Sequence, residues 1–316
     1  MDLLKIAEEN TLKKTVQYPL YYKFLSLLSV VRGFNVAVVV VAQYLAAVFI
    51  FAPNKSLKHV LLDAGLYFIV LATICVIASG YIINDFYNVK RDIVNKPQKR
   101  KLDSIVSQKT KLNIYFFLNF LGFLLGFLVS WKAALFFGVY IFLIWLYAHK
   151  LKQRPLFKLI SAATLRLLPF FVIFVYYKNF SEVIFVHATF LFFVILLREL
   201  IKDLENLRGA IATNYNTFPV KYGERKTRKL GIVFVVSTFI PVIILINYPG
   251  VGYMKYYFIL SVLVLIFIGF FLWKSNLKRH YVLLHNVLKL MLLLGVLSLL
   301  LIDTSVVVER VIDKLN

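Results

Sequence analysis

The chain has 316 residues, 61% of them hydrophobic and 16% charged, with a formal net charge of +22 and a single cysteine. A soluble domain of this size needs more polar surface, and a lone Cys75 closes no intramolecular disulfide. The apolar residues come in blocks of about 20, the length that crosses a ~30 Å hydrocarbon core as helix, and they do not alternate as membrane-barrel strands do.

Nine such blocks run in chain order near 22–50, 60–83, 112–129, 131–148, 156–177, 182–201, 230–247, 252–273 and 284–304. The pattern predicts an all-α polytopic membrane protein in one integral-membrane domain covering 1–316. The first block is too long for a signal core and lacks a small-residue cleavage site, so residues 1–21 read as a tail rather than a leader. Lys and Arg are unevenly placed: 26 lie in that tail and in 84–111, 149–158, 198–229 and 274–283, the even-numbered connections with their flanks, against seven in the odd connections and the C-terminus. This predicts a cytoplasmic N-terminus and an external C-terminus in the cytoplasmic (inner) membrane. The basic loops also attract anionic membrane lipid. Nothing beyond charge points to nucleic acid.

Two connections are long, 84–111 and 202–229, each of 28 residues. The first opens with Asn84, Asp85, Asn88 and Asp92, and the second with Lys202, Asp203, Asn206 and Ala210. Asp85 and Asp203 are 118 residues apart, and an Asn follows each at the same offset, which predicts two pseudo-repeated four-helix units. Positions i, i+3 and i+7 share one helical face. Oxygen side chains stacked that way on two facing helices suit Mg²⁺, which takes a carboxylate or two, waters and substrate phosphates. The alternative is that Asp85, Asp92 and Asp203 are interfacial acids balancing nearby lysines.

Charges within the spans are the other informative residues, because burying one in lipid is costly. Arg166 lies midway along the fifth block, where it either faces a central cavity and contacts an anionic acceptor or pairs with another helix. Lys289, about one turn into the ninth block, is within snorkelling reach of the cytoplasmic face. Arg32 falls roughly ten residues into a long first helix.

These pieces together resemble the UbiA superfamily of intramembrane prenyltransferases, over nearly the whole chain. "GYIINDFYNVKRDIVNKP" is similar to its first signature through Asn84, Asp85, Asp92, Asn95, Lys96 and Pro97. "RELIKDLENLRGA" with "NTFPVKYG" is similar to the second through Arg198, Glu199, Lys202, Asp203, Glu205, Gly209, Thr217, Pro219, Val220 and Gly223. Arg32 and Asn35 resemble the family's first helix. Tyr147, Lys150, Lys152 and Pro155 resemble the end of its fourth. The branch most similar is the prenylglyceryl-phosphate type.

The resemblance implies nine helices around a central cavity and transfer of an isoprenyl group from an isoprenyl diphosphate to a hydroxyl or aromatic acceptor. It implies Asp85, Asp92 and Asp203 as catalytic acids, and Mg²⁺ held by these with Asn84, Asn88 and Asn206. It also implies substrate contacts from Arg32, Asn35, Lys90, Arg91, Tyr147, Lys150, Lys152, Lys202, Glu205, Arg208 and Arg166. Three positions that are acidic in the family are Asn88, Asn206 and Ala210 here. Two readings follow: an enzyme with fewer or weaker metals, in which Lys90, Arg91 and Arg208 take up diphosphate charge, or a degenerate paralogue that binds an isoprenoid lipid or partner. A secondary transporter also has repeats and intramembrane charge, but its site sits near the midplane, whereas these acids cluster at one interface.

Overall fold

The computed structural model describes residues 19–274 and 277–305, and the side chains of Lys90 and Arg91 lie outside that description. Among the described residues there is no strand, and nine helical segments are long and apolar enough to cross a membrane.

The first apolar block is two helices, not one. Helix α1 (Leu20–Val31) stops at Arg32, which is left-handed at φ 54°, and α2 (Gly33–Ala46) starts at the next residue. Gly33 weakens helical continuation there. A non-glycine residue in this conformation costs about 1–2 kcal/mol. With 12 residues, α1 is about 18 Å long and too short to cross. Helix α2 continues through a π turn, Ala47–Phe51, and with it forms the first candidate span.

Helix α3 (Ala64–Asn95) is capped by Asp63, whose carboxylate accepts from the N–H groups of Gly65 and Leu66. Its 32 residues extend about 48 Å, well beyond the hydrocarbon core. The motif residues 84–92 therefore ride on its last turns. Pro97 stops it, because the residue before a proline disfavours helical geometry. Ser107 and Ser130 then cap α4 (Gln108–Val129) and α5 (Trp131–His149). The rest are α6 (Pro155–Tyr177), α7 (Glu182–Glu205), α8 (Glu224–Asn247), α9 (Lys255–Lys274) and α10 (Lys278–Ser298).

Packing follows the repeat. Helix α3 packs on α4 and α4 on α5, as α7 packs on α8 and α8 on α9. Helix α10 closes against α7, and α2 touches α3, α6 and α10. The halves meet at their motif ends, where a side chain on Gly209 would collide with the Asn95 amide, so glycine permits that approach. Phe117, Phe120, Trp131, Ile240, Leu263 and Trp273 project outward, the apolar exterior a bilayer requires.

Candidate active site at the motif end of the bundle

Helices α2, α3, α5, α6, α7 and α10 enclose a cavity of about 580 Å³. Five cations line it, Arg32, Arg166, Arg198, Lys202 and Lys289, and no carboxylate does. Asn35, Tyr81, Asn84, Tyr140, Tyr147 and Asn286 complete its polar wall, while Val38, Val39, Ile77, Phe170 and Leu191 form the apolar part. A second cavity of about 120 Å³ lies farther along the bundle. Ala42, Phe170, Leu191, Leu292 and Val296 border both, so the two abut.

Local backbone chemistry sets these walls. Pro169 has no N–H to give Leu165 O, and the Tyr140 hydroxyl donates to that carbonyl instead, at 3.0 Å. Gln43, fully buried, donates to Pro169 O at 2.7 Å and to Thr73 Oγ1 at 3.2 Å, joining α2, α3 and α6. The Arg32 guanidinium lies 5.1 Å from the Tyr81 ring centroid, a cation–π contact.

Buried Glu199 stands behind the cationic wall, 2.8 Å from Arg166 Nη2 and 3.3 Å from Lys202 Nζ. Arg166 thus lines the cavity and also pairs with another helix. Arg198 has no ion pair among the described residues, and its Nε is buried with no hydrogen-bond partner. Lys289 is eleven residues into α10, about 16 Å along its axis, not one turn. It stands over the Phe34 ring at 5.5 Å and lines the cavity.

The motif acids are elsewhere. Asp85 accepts from Arg100 Nη1 at 3.0 Å and from Lys111 Nζ at 3.0 Å, and the Lys111 side chain is 0% exposed. Asp203 is paired with buried Lys158. Asp92 stands near Lys96, whose ammonium is held below the usual lysine range first by desolvation and then by Arg32, with Asp92 and Glu205 opposing. Asp85 and Asp203 are therefore each in contact with a cation, the kind of balancing weighed above as the alternative to a metal cage.

The amides form a separate chain. Asn84 Oδ1 accepts from Lys152 Nζ at 2.7 Å and from Asn88 Nδ2 at 3.0 Å. Asn206 Nδ2 donates to Lys202 O at 2.7 Å, and Glu205 Oε2 is 2.6 Å from His285 Nδ1. Lys150 and Arg208 are exposed and outside the cavity wall.

Each Mg²⁺ takes a carboxylate or two beside waters and substrate phosphates, so a pair bridged by protein needs free carboxylates that converge. Among the described residues no three His, Cys, Asp or Glu side chains converge. Two acceptors, Asn88 Oδ1 and Asp203 Oδ2, are buried without a hydrogen-bond partner, but the first is neutral and the second belongs to a carboxylate already balanced by Lys158. The donor set does not fit a carboxylate-bridged metal pair.

The UbiA prenyltransferase family profile matches residues 39–293. The chain belongs to the UbiA prenyltransferase family. A digeranylgeranylglyceryl phosphate synthase of Methanobrevibacter smithii is 27% identical over 251 residues, covering 76% of this chain and 83% of that enzyme. The enzyme of the same name from Thermococcus gammatolerans is 31% identical over 183 residues, 56% of this chain and 64% of its own length. A solved structure of a digeranylgeranylglyceryl phosphate synthase superposes with a TM-score of 0.67 at 18% identity, over 88% of this chain and 97% of that one. A UbiA homologue from Archaeoglobus fulgidus bound to GPP and Mg²⁺ superposes with a TM-score of 0.62 at 15% identity, over 87% of this chain and 99% of that one. The chain is thus an integral-membrane prenyltransferase with the UbiA all-α fold.

Sequence reasoning singled out Arg32, Asn35, Asn84, Tyr147, Arg166 and Lys202, all of which line the cavity. Arg198 and Glu199 entered only as UbiA motif matches, and Tyr81, Tyr140 and Asn286 not at all. The signal for Arg198 and Glu199 was present: two charges lie inside the apolar run of α7, one turn before Lys202.

Proposed function

We propose that this chain transfers an isoprenyl group from an isoprenyl diphosphate to a hydroxyl of a glycerophosphate-type lipid, with both substrates in the α2–α10 cavity. One observation carries the reading: a single cavity combines a cationic wall with an apolar wall that continues into a second apolar cavity. The cations suit a diphosphate, and the aliphatic and aromatic wall suits a prenyl chain and keeps water from the reacting carbon. The acceptor class rests on the relatives named digeranylgeranylglyceryl phosphate synthase.

In the reaction the allylic C1–O bond breaks and its electron pair stays on the diphosphate. A lone pair of the acceptor hydroxyl forms the new C–O bond, and its proton goes to the departing diphosphate. Arg198 and Lys202 hold the diphosphate, Arg32 and Asn35 orient it from the start of α2, and Tyr147 bounds the mouth. Lys152 fixes the Asn84 amide toward that space. Mg²⁺ is the ion bound in the A. fulgidus homologue; the oxygen set the resemblance implies here, Asn84, Asp85, Asn88, Asp92, Asp203 and Asn206, does not fit a carboxylate-bridged pair, with Asp85 and Asp203 already balanced by cations.

The motif end faces the cytoplasm in this reading, with the N-terminus cytoplasmic and the C-terminus external, supported by the surplus of Lys and Arg at that end. The test uses purified chain with isoprenyl diphosphates of ten to forty carbons and a glycerophosphate lipid. Release of diphosphate together with a lipid heavier by the prenyl group is the expected result. Diphosphate release without a prenylated lipid would reject the acceptor, and no release from any donor would reject the transfer.

A further inference from the structure

We infer that the donor's diphosphate is bound, and its leaving charge neutralised, by the cations of the cavity wall without a divalent metal. This rests on the prenyl-transfer reading and specifies how its anion is held.

Charge placement is the first argument. Among the described residues five cations line the cavity, and buried Glu199 behind them is shared by Arg166 and Lys202. A prenyl diphosphate is a trianion, so the wall alone outweighs it. A dication entering that wall would meet like charge at close range, in a setting of low effective dielectric. Two of the acids expected to offset it, Asp85 and Asp203, already serve Arg100, Lys111 and Lys158.

Donor geometry is the second. Arg198 Nε is buried without an acceptor. An orphaned buried donor is unfavourable, and a phosphate oxygen would satisfy it through the guanidinium fork. Arg32 and Asn35 line the same cavity at the first turn of α2, whose leading N–H groups favour an anion. Arg32 is held in the left-handed region at that helix start, a strained conformation of the kind that concentrates at ligand-holding positions.

The acceptor's phosphate shares this chemistry, so the experiment separates the two anions. The described chain, full length and in nanodiscs, is titrated with geranylgeranyl thiodiphosphate, a slowly reacting donor analogue, by calorimetry in chelator and again in excess Mg²⁺. A second arm titrates lysophosphatidate. Arg198→Gln and Arg32→Gln are compared with the parent, and their melting temperatures report folding; Lys289→Gln replaces either that fails to fold.

The expected result is binding of the analogue in chelator within about threefold of its affinity in Mg²⁺, and weakening of tenfold or more in Arg198→Gln, the scale of a lost charged hydrogen bond. Binding or turnover that appears only with Mg²⁺ would overturn the inference and leave prenyl transfer standing. Variants that weaken lysophosphatidate but not the analogue would also overturn it, assigning the cations to the acceptor. Absence of donor binding and turnover in both conditions would overturn both readings.

Discussion

The ends of α3 and α7 each carry a polar residue followed by an aspartate in corresponding places, Asn84-Asp85 and Lys202-Asp203, and each pair divides in the same way. Asn84 and Lys202 line the cavity, while their neighbours Asp85 and Asp203 turn into the scaffold. Successive helical residues point about 100° apart, so one position faces the cavity and the next faces protein. The partners differ. Asp85 is held by Arg100 and Lys111, which follow it in its own half, and Asp203 by Lys158, which precedes it on α6. In both halves the acid locks the motif end in place, and what reaches the cavity is an amide or a cation.

The largest expected effect comes from breaking these locks. Asp203→Ala leaves Lys158 charged and buried, and Asp85→Ala does the same to Lys111. Each should destabilise the protein by about 3–5 kcal/mol, read as a lower melting temperature in detergent. Asp203→Leu with Lys158→Met removes both charges and should recover most of that loss. Lost turnover with unchanged melting would instead make Asp203 a ligand in the reaction.

The junction of the two cavities gives the next effect. Ala42 borders both and is 2% exposed, so Ala42→Phe plugs the passage between them. Twenty-carbon donors should lose about tenfold or more in kcat/KM against ten-carbon donors, on the scale of added bulk in an apolar pocket. An unchanged ratio would mean that the chain lies elsewhere.

Tyr140→Phe tests a smaller support. It deprives Leu165 O of the Tyr140 hydroxyl and should lower stability by about 1 kcal/mol in thermal unfolding.

The smallest effect contrasts the two ends of the bundle. Asp63, at the far end, is countered by tyrosines rather than by lysine. Burial raises its pKa, but the Tyr176 hydroxyl at 2.7 Å, the Leu66 N–H, the Tyr177 hydroxyl at 3.1 Å and the Gly65 N–H together bring it below the usual carboxylate range. Its contribution is present above about pH 3.9, the unfolded value, and is lost as pH falls through the lower folded one. Asp63→Asn should flatten the acid limb of melting temperature against pH between 5 and 2.5.

The spans and their order were legible because hydrophobic blocks report burial directly. The break at Arg32 was not, since an unbroken apolar pattern carries no backbone angle and Gly33 alone is a weak stop. Nor was the fate of the acids, whose partners lie 15, 26 and 45 residues away. Spacing along one helix shows which residues share a face and not what that face meets. Arg166 left two choices in the sequence, and the packing has it both line the cavity and pair with Glu199 on another helix.

The cationic wall does not distinguish beginning from end. The diphosphate set free carries at least as much charge as the donor and has no greasy tail drawing it toward the lipid. On the proposed reading, a wall that accepts the donor's diphosphate also retains it after the bond has broken. Turnover should accordingly be paced by departure of the by-product, with added diphosphate a competitive inhibitor and moderate salt speeding steady-state cycling as it screens the hold.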